Sequence, residues 1–298
     1  MTANNTTLGV LCAAALALAG CGSPNADDVF RDGAAAFDTG DYATARKKFA
    51  KCAKLKPESE IAAYNLGMAN FKLKNYRAAA NAFERADSLS KDGGVESLES
   101  LAQSFRQMGK PDEALAAYGR AEAKANRKAS ILAGVAQCYM DKGQFGFAEK
   151  NLLEILRGDE EGYKNPVALF NLGVLYTKPA YSDHAKAGLY YYEFLRWHRA
   201  NAEFANETAR AAQALALLHR ATLNDEDLNL QILSKLAEAE KFARNPVRRI
   251  SLGEEAWKLN PANQNTMKIY ARHTEELGEQ HAARAAEMRE ILALVQQY

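Results

Sequence analysis

No lysine or arginine occurs before Arg31, no catalytic or metal-binding signature can be found, and neither sign of charge prevails. Each absence excludes something. With 38 basic against 37 acidic side chains the net charge is +1, and so neutral a chain is not built to hold a nucleic-acid backbone. The uncharged, mostly apolar stretch Leu8–Gly20 spans 13 residues, too short to cross a bilayer as a mature helix. Five histidines (His184, His198, His219, His273, His281) show no HExxH spacing, and there is no CxxC, so no metal site is expected. GxxxxGK[ST], GxGxxG and GxSxG are all missing. The acidic pairs Glu254-Glu255 and Glu275-Glu276 read as exposed helix faces. The expectation is a protein without enzymatic activity, cofactor, metal or small-molecule substrate, and nothing in it reads as a β-strand.

What is present is a repeat. Gly33, Gly67, Ala102, Ala136 and Gly173 recur at intervals of 34 to 37 residues. Twelve residues after each of the first four stands a second small residue: Ala45, Ala79, Ala114 and Ala148. Four further on comes a large apolar one, Phe49, Phe83, Tyr118 or Leu152, and three beyond that Cys52, Ala86, Ala121 or Ile155. Turn signals fall midway: GDY at 40–42, KNY at 74–76, GKP at 109–111 and GQF at 143–145. This spacing describes two helices of about a dozen residues that approach where side chains are small, with a large residue filling the hole beside them. No such pair buries its own apolar face, so neighbours must stack, and a period in the thirties predicts a helical solenoid.

These residues resemble the tetratricopeptide repeat, best in YNLGMANFKLKNYRAAANAFERA (Tyr64 to Ala86) and again at NLGVLY (Asn171 to Tyr176). The fold expected is all-α, a superhelical solenoid of helix-turn-helix repeats, with five repeats over residues 27–201. The fifth carries an insertion, TKPAYSD, so its second helix aligns only with Ala187, Tyr191 and Phe194 in the small-large-small places. Residues 202–298 remain helical without the strict period. Asn224 and Asp225 signal one helix start and Asn245-Pro246 another, and degenerate repeats with a C-terminal cap are expected.

Leu18-Ala19-Gly20-Cys21 closes the apolar stretch and resembles the lipobox of bacterial lipoproteins. The resemblance implies a signal peptide over residues 1–20, lipidation of Cys21, and a short tether over residues 21–26. Cys12 then leaves with the signal and only Cys52 and Cys138 remain as thiols, both inside helical patterns, so no disulfide framework is expected. Gly22 in place of Asp implies, by the family's sorting habit, the outer membrane.

In arrays of this family the first helix of each pair lines the concave groove. The resemblance places Phe30, Ala34 and Phe37 there in the first repeat, then Tyr64, Met68 and Phe71. Glu99, Gln103 and Arg106 follow, then Ala133, Gln137 and Met140, and last Phe170, Val174 and Thr177. The peptide-binding residues expected are Phe30, Phe37, Tyr64, Met68, Phe71 and Phe170, although Phe37 and Phe71 equally suit packing between repeats. The basic run Arg46, Lys47, Lys48, Lys51, Lys54 and Lys56 reads as a solvated face, with anionic head groups as the alternative contact. Together these features imply a lipid-anchored adaptor that binds protein partners at the cell envelope and does not bind nucleic acid. The alternative is a structural subunit of a pilus, secretion or outer-membrane assembly machine.

Overall fold

A computed structural model describes residues 24–298 except 92–93, 126–127, 159–163, 243–244 and 277–278. Residues 1–20 and Cys21 lie outside the described residues. Among those described there are α-helices, two 3-10 turns and no strand. They divide into two compact units, one running to Asn151 and the other beginning at Leu152.

The first unit holds α1 (Pro24–Asp38), α2 (Tyr42–Leu55), α3 (Glu60–Lys72), α4 (Tyr76–Leu89), α5 (Val95–Gln107), α6 (Pro111–Ala125), α7 (Ala129–Asp141) and the start of α8 (Phe145–Arg157). The small and large residues that mark the period are buried, Ala45, Phe49, Cys52, Ala79, Phe83 and Ala86 among them. Gly67 shows why the first small residue matters: a Cβ there would sit 2.6 Å from the Phe83 ring. Close packing of helix on ring is what the alternation of small and large achieves. Burying an aromatic of this size contributes roughly 1.5–3 kcal/mol.

All four tight turns inside these pairs close alike. The N–H of Asp41, Asn75, Lys110 and Gln144 donates to the carbonyl five residues earlier, at 2.8 to 3.0 Å. This 6→1 bond needs a left-handed residue just before its donor. Gly40, Gly109 and Gly143 fill that place with φ of 81°, 71° and 71°. In the second repeat it is Lys74, at φ 62°. An aromatic pair locks two of the turns, Phe37 on Tyr42 at 5.0 Å and Phe71 on Tyr76 at 5.3 Å between ring centres.

The second unit continues with α9 (Pro166–Tyr176), α10 (His184–His198), α11 (Ala205–Thr222), α12 (Glu226–Lys241), α13 (Pro246–Leu259), α14 (Gln264–Glu275) and α15 (Glu279–Val295). In the α9–α10 hairpin Gly173 meets the Tyr191 ring as Gly67 meets Phe83, with Ala187, Tyr191 and Phe194 all buried. The insertion folds as a 3-10 turn, Pro179–Tyr181, that returns the Asp183 N–H to the Tyr176 carbonyl at 3.0 Å. Tyr181 and Tyr190 then both stack on Tyr176, with ring centres 6.0 and 5.8 Å away. Asp225 caps α12 by accepting from the Leu228 N–H at 2.9 Å. Asn245 caps α13 with Pro246 in its first turn, as the sequence predicts. The last helix, α15, packs on α10 and α11, and α13 touches α10.

Candidate functional site

Within the first unit the first helices of successive repeats touch one another, α3 with α5 and α5 with α7. Their shared face is where a ligand-binding surface would form. The aromatic residues expected there are placed by the structure in the core instead. Phe30 is 3% exposed, Phe37 6%, Tyr64 7% and Met68 1%. Phe30 packs on Phe49 at 5.4 Å and Tyr64 on Phe83 at 5.5 Å. In the second unit Phe170 lies between Tyr191 and Phe194, at 5.8 and 5.4 Å. The physical reason is common to all three rings. A large residue three before the small one turns into its own hairpin and fills the space beside the partner helix's large residue. Of the six, only Phe71 is half-buried, and it belongs to a turn lock. As a contact surface the aromatic strip therefore needs correction: these side chains hold the hairpins.

What the α5–α7 face presents is polar. Arg106, just 6% exposed, donates from Nε to Asp141 Oδ2 at 2.6 Å and from Nη1 to Gln137 Oε1. One turn and more towards the start of the same helices, Ser130 Oγ donates to Glu99 Oε1 at 2.7 Å. Burial raises the Glu99 carboxyl above its usual range, opposed by the Ser130 hydrogen bond and the Lys128 charge. Gln103 lies between these two clusters on α5 and hydrogen-bonds the Tyr118 hydroxyl, whose acidity burial suppresses. Burial likewise pushes the Cys138 thiol up to about 12, so it stays a protonated, unreactive core group.

Glu99, Gln103, Arg106 and Gln137 stand at the positions the resemblance assigns to the groove, and the structure links α5 and α7 through them and their partners. Asp141 and Ser130 were missed. Asp141 stands one turn beyond Gln137 at the end of its helix, a spacing that could have drawn attention to it. Gln137 is 2% exposed and the Arg106 side chain 6%, as buried as the aromatic residues and bonded to each other, so the half-buried Glu99 and Gln103 are what the row offers to a polar segment. No group of three or more His, Cys, Asp or Glu side chains able to hold a metal occurs among the described residues. No helix among them is long and apolar enough to cross a membrane.

Comparison with known proteins fits this geometry. Residues 31–93 and 100–162 match the tetratricopeptide-repeat family model. Those two stretches of the chain are similar to tetratricopeptide repeats. Among solved structures it is similar to PilW, a widely conserved type IV pilus biogenesis factor. That likeness has TM-score 0.56 and 18% identity, covering 68% of this chain and 88% of PilW. A tetratricopeptide repeat protein from Parabacteroides merdae is similar over 92% of this chain and all of its own length, at 14% identity and TM-score 0.54. A thermophilic one from Thermus thermophilus matches at 22% identity and TM-score 0.50, over 64% of this chain and 98% of that one. At such identities the likeness is one of fold. No curated protein matches the chain.

Proposed function

We propose that this protein is a lipid-anchored tetratricopeptide adaptor that binds a protein partner at the bacterial cell envelope. The observation that carries the recognition half is the row Glu99–Gln103–Arg106–Gln137 across two adjacent repeats. Arg106 is buried while its partner Asp141 is 42% exposed, and an ion pair open to water on one side adds little stability. Its place on the α5–α7 face therefore suits specificity for a polar, extended partner segment. The anchor half rests on Leu18-Ala19-Gly20-Cys21, and outer-membrane placement on Gly22. PilW, a pilus biogenesis factor, offers a precedent for this fold in envelope work and no more than that. Two acyl signals suffice for stable membrane attachment and a lipobox protein carries three.

Two measurements test the two halves. Labelled fatty acid should enter the wild type and not Cys21→Ala; incorporation into the mutant would end the anchor reading. A photo-crosslinking residue at Met140, on the α7 side of the row, should capture one defined envelope protein, while the same label at Ala116, an exposed position of α6, should not. Equal capture from both positions would end the groove reading. A second reading, a structural subunit that uses outer faces, is favoured by the open apolar residues of the second unit. Leu230 is 68% exposed, Leu233 61% and Val247 71%.

A further inference from the structure

Several cations of the first unit are matched. Lys48 pairs with Asp32 at 2.6 Å and Lys110 with Glu113 at 2.8 Å. Lys124 and Arg120 share Asp87, and Lys142 pairs with Asp112. The start of α4 gathers three that are not. There Arg46 of α2, the turn residue Lys74 and Arg77 of α4 line one open cleft of about 700 Å³ together with Asn70, Asn75 and Asn81. None of the nine residues lining it is acidic, and none of the three cations makes an ion pair with a described residue.

Three further choices at this spot run against helix stability. Lys74 occupies the left-handed position that glycine takes in the other three turns, a conformation unfavourable for a residue with a Cβ. Arg77 stands in the first turn of α4, where α6 has Asp112, so a cation faces the positive end of the helix dipole. The α4 N-cap, Asn75, makes no side-chain capping bond, whereas Asp41 accepts from the Thr44 N–H at the start of α2. Uncompensated local violations gathered at one place are a mark of function, and all of these converge on one cavity of ligand-binding size.

We infer that this cleft binds a phosphate group. Its donors come from different directions: guanidinium from α2, ammonium from the turn, guanidinium and backbone N–H from the start of α4, and amides from Asn75 and Asn81. Such an arrangement suits a tetrahedral oxyanion with several acceptor oxygens better than a planar carboxylate. A bound phosphate would supply the negative charge missing from the α4 start and offset the three uncompensated cations. The phosphate could be that of an anionic lipid headgroup or a free anion; the chemistry recognised is the same. The inference does not rest on the adaptor reading, because no residue of the cleft belongs to the Glu99–Gln137 row.

The full chain, kept soluble in a non-ionic detergent, is titrated calorimetrically with inorganic phosphate and with dihexanoyl phosphatidylglycerol below its micellar concentration. Arg77→Gln and Arg46→Gln should each weaken binding about tenfold, as expected for losing a charge-assisted contact. Lys74→Gly should weaken it while the melting temperature holds or rises, since glycine suits the left-handed turn. Lys54→Gln, an exposed lysine of α2 outside the cleft, should change nothing. Equal affinity for the two probes assigns a free oxyanion, and a marked preference for the lipid assigns a headgroup. The inference is overturned if neither probe binds, or if binding survives the Arg46→Gln/Arg77→Gln pair. It is equally overturned if Lys54→Gln weakens binding as much as Arg77→Gln, or if an aspartate-rich peptide binds more tightly than either probe. Capture from Met140 should persist in the cleft variants, which separates failure here from failure of the adaptor.

Discussion

The two units reach stability by different means. In the first unit the α1–α2 and α3–α4 hairpins use the same device, Gly33 and Gly67 of the first helix pressed by the Phe49 and Phe83 rings of the second. From Leu152 onward the α9–α10 pair keeps that device, with Gly173 against Tyr191. The rest is held by contacts that occur once each and join distant parts of the sequence. The Tyr192 ring meets Trp257 edge-on at 4.8 Å. Asn260 Nδ2 donates to Thr222 Oγ1 at 2.7 Å. Arg199 and Arg196 of α10 pair with Glu290 and Glu287 of α15, at 2.5 and 3.0 Å. A repeated local contact makes stability a sum over neighbours, whereas long-range contacts tie a unit into a single cooperative body.

The largest expected effects test that contrast. Phe83→Ala and Trp257→Ala each remove a ring that is at most 2% exposed, and each should cost ~3–5 kcal/mol. Hydrogen exchange should differ between them. Loss of Phe83 should raise exchange in α3 to α5 alone, and loss of Trp257 should raise it in α10 and α13 to α15 together. The same spread in both variants would break the comparison. A smaller effect, roughly 1–3 kcal/mol, is expected from Gly67→Ala because its Cβ would press on the Phe83 ring. Gly119→Ala, with open space around it, should be neutral or stabilising by thermal melting.

Legibility in the sequence follows the same division. Repetition made the first unit readable: residues such as Ala79 and Phe83 recur at fixed offsets because one packing problem is solved four times. Tyr191 could be aligned across an insertion for the same reason. The return of α15 onto α10 leaves no periodic trace, since Arg199–Glu290 is one contact between residues far apart in the chain. The aromatic groove positions were misread because an inward offset cannot separate a ring facing a ligand from one facing its own hairpin. Tyr64 and Phe30 are of the second kind. Lys74 was visible as the one non-glycine among the four turns at its position, yet its left-handed backbone became evident only with the turn's hydrogen bonds.

The pH response of the second unit should be smaller and of predictable sign. His273 is 1% exposed and hydrogen-bonds Glu240 at 3.0 Å. Burial depresses its pKa, against the Glu240 contribution and with the Arg249 and Arg272 charges. A depressed histidine takes up its proton more readily when unfolded. Its contribution is therefore complete above the unfolded pKa of about 6.5 and lost as pH falls from there through the folded value. Melting followed from pH ~7 to ~5 should fall less steeply in His273→Gln than in the wild type. An unchanged slope would mean that His273 does not govern it. The smallest expected effect is a gain of up to ~1 kcal/mol for Lys74→Gly, from relief of the left-handed lysine.

The central claim is that aromatic side chains hold the repeats together and the polar row recognises the partner. Tyr64→Ala and Glu99→Gln, compared side by side, test it most directly by thermal melting and by photo-capture from Met140. Tyr64→Ala should melt nearly as early as Phe83→Ala. Glu99→Gln, which removes a charge that burial already disfavours, should melt no earlier than the wild type and lose the captured partner. A Tyr64→Ala protein that melts normally but no longer captures, beside a Glu99→Gln protein that captures fully, would contradict the account and return recognition to the aromatic strip.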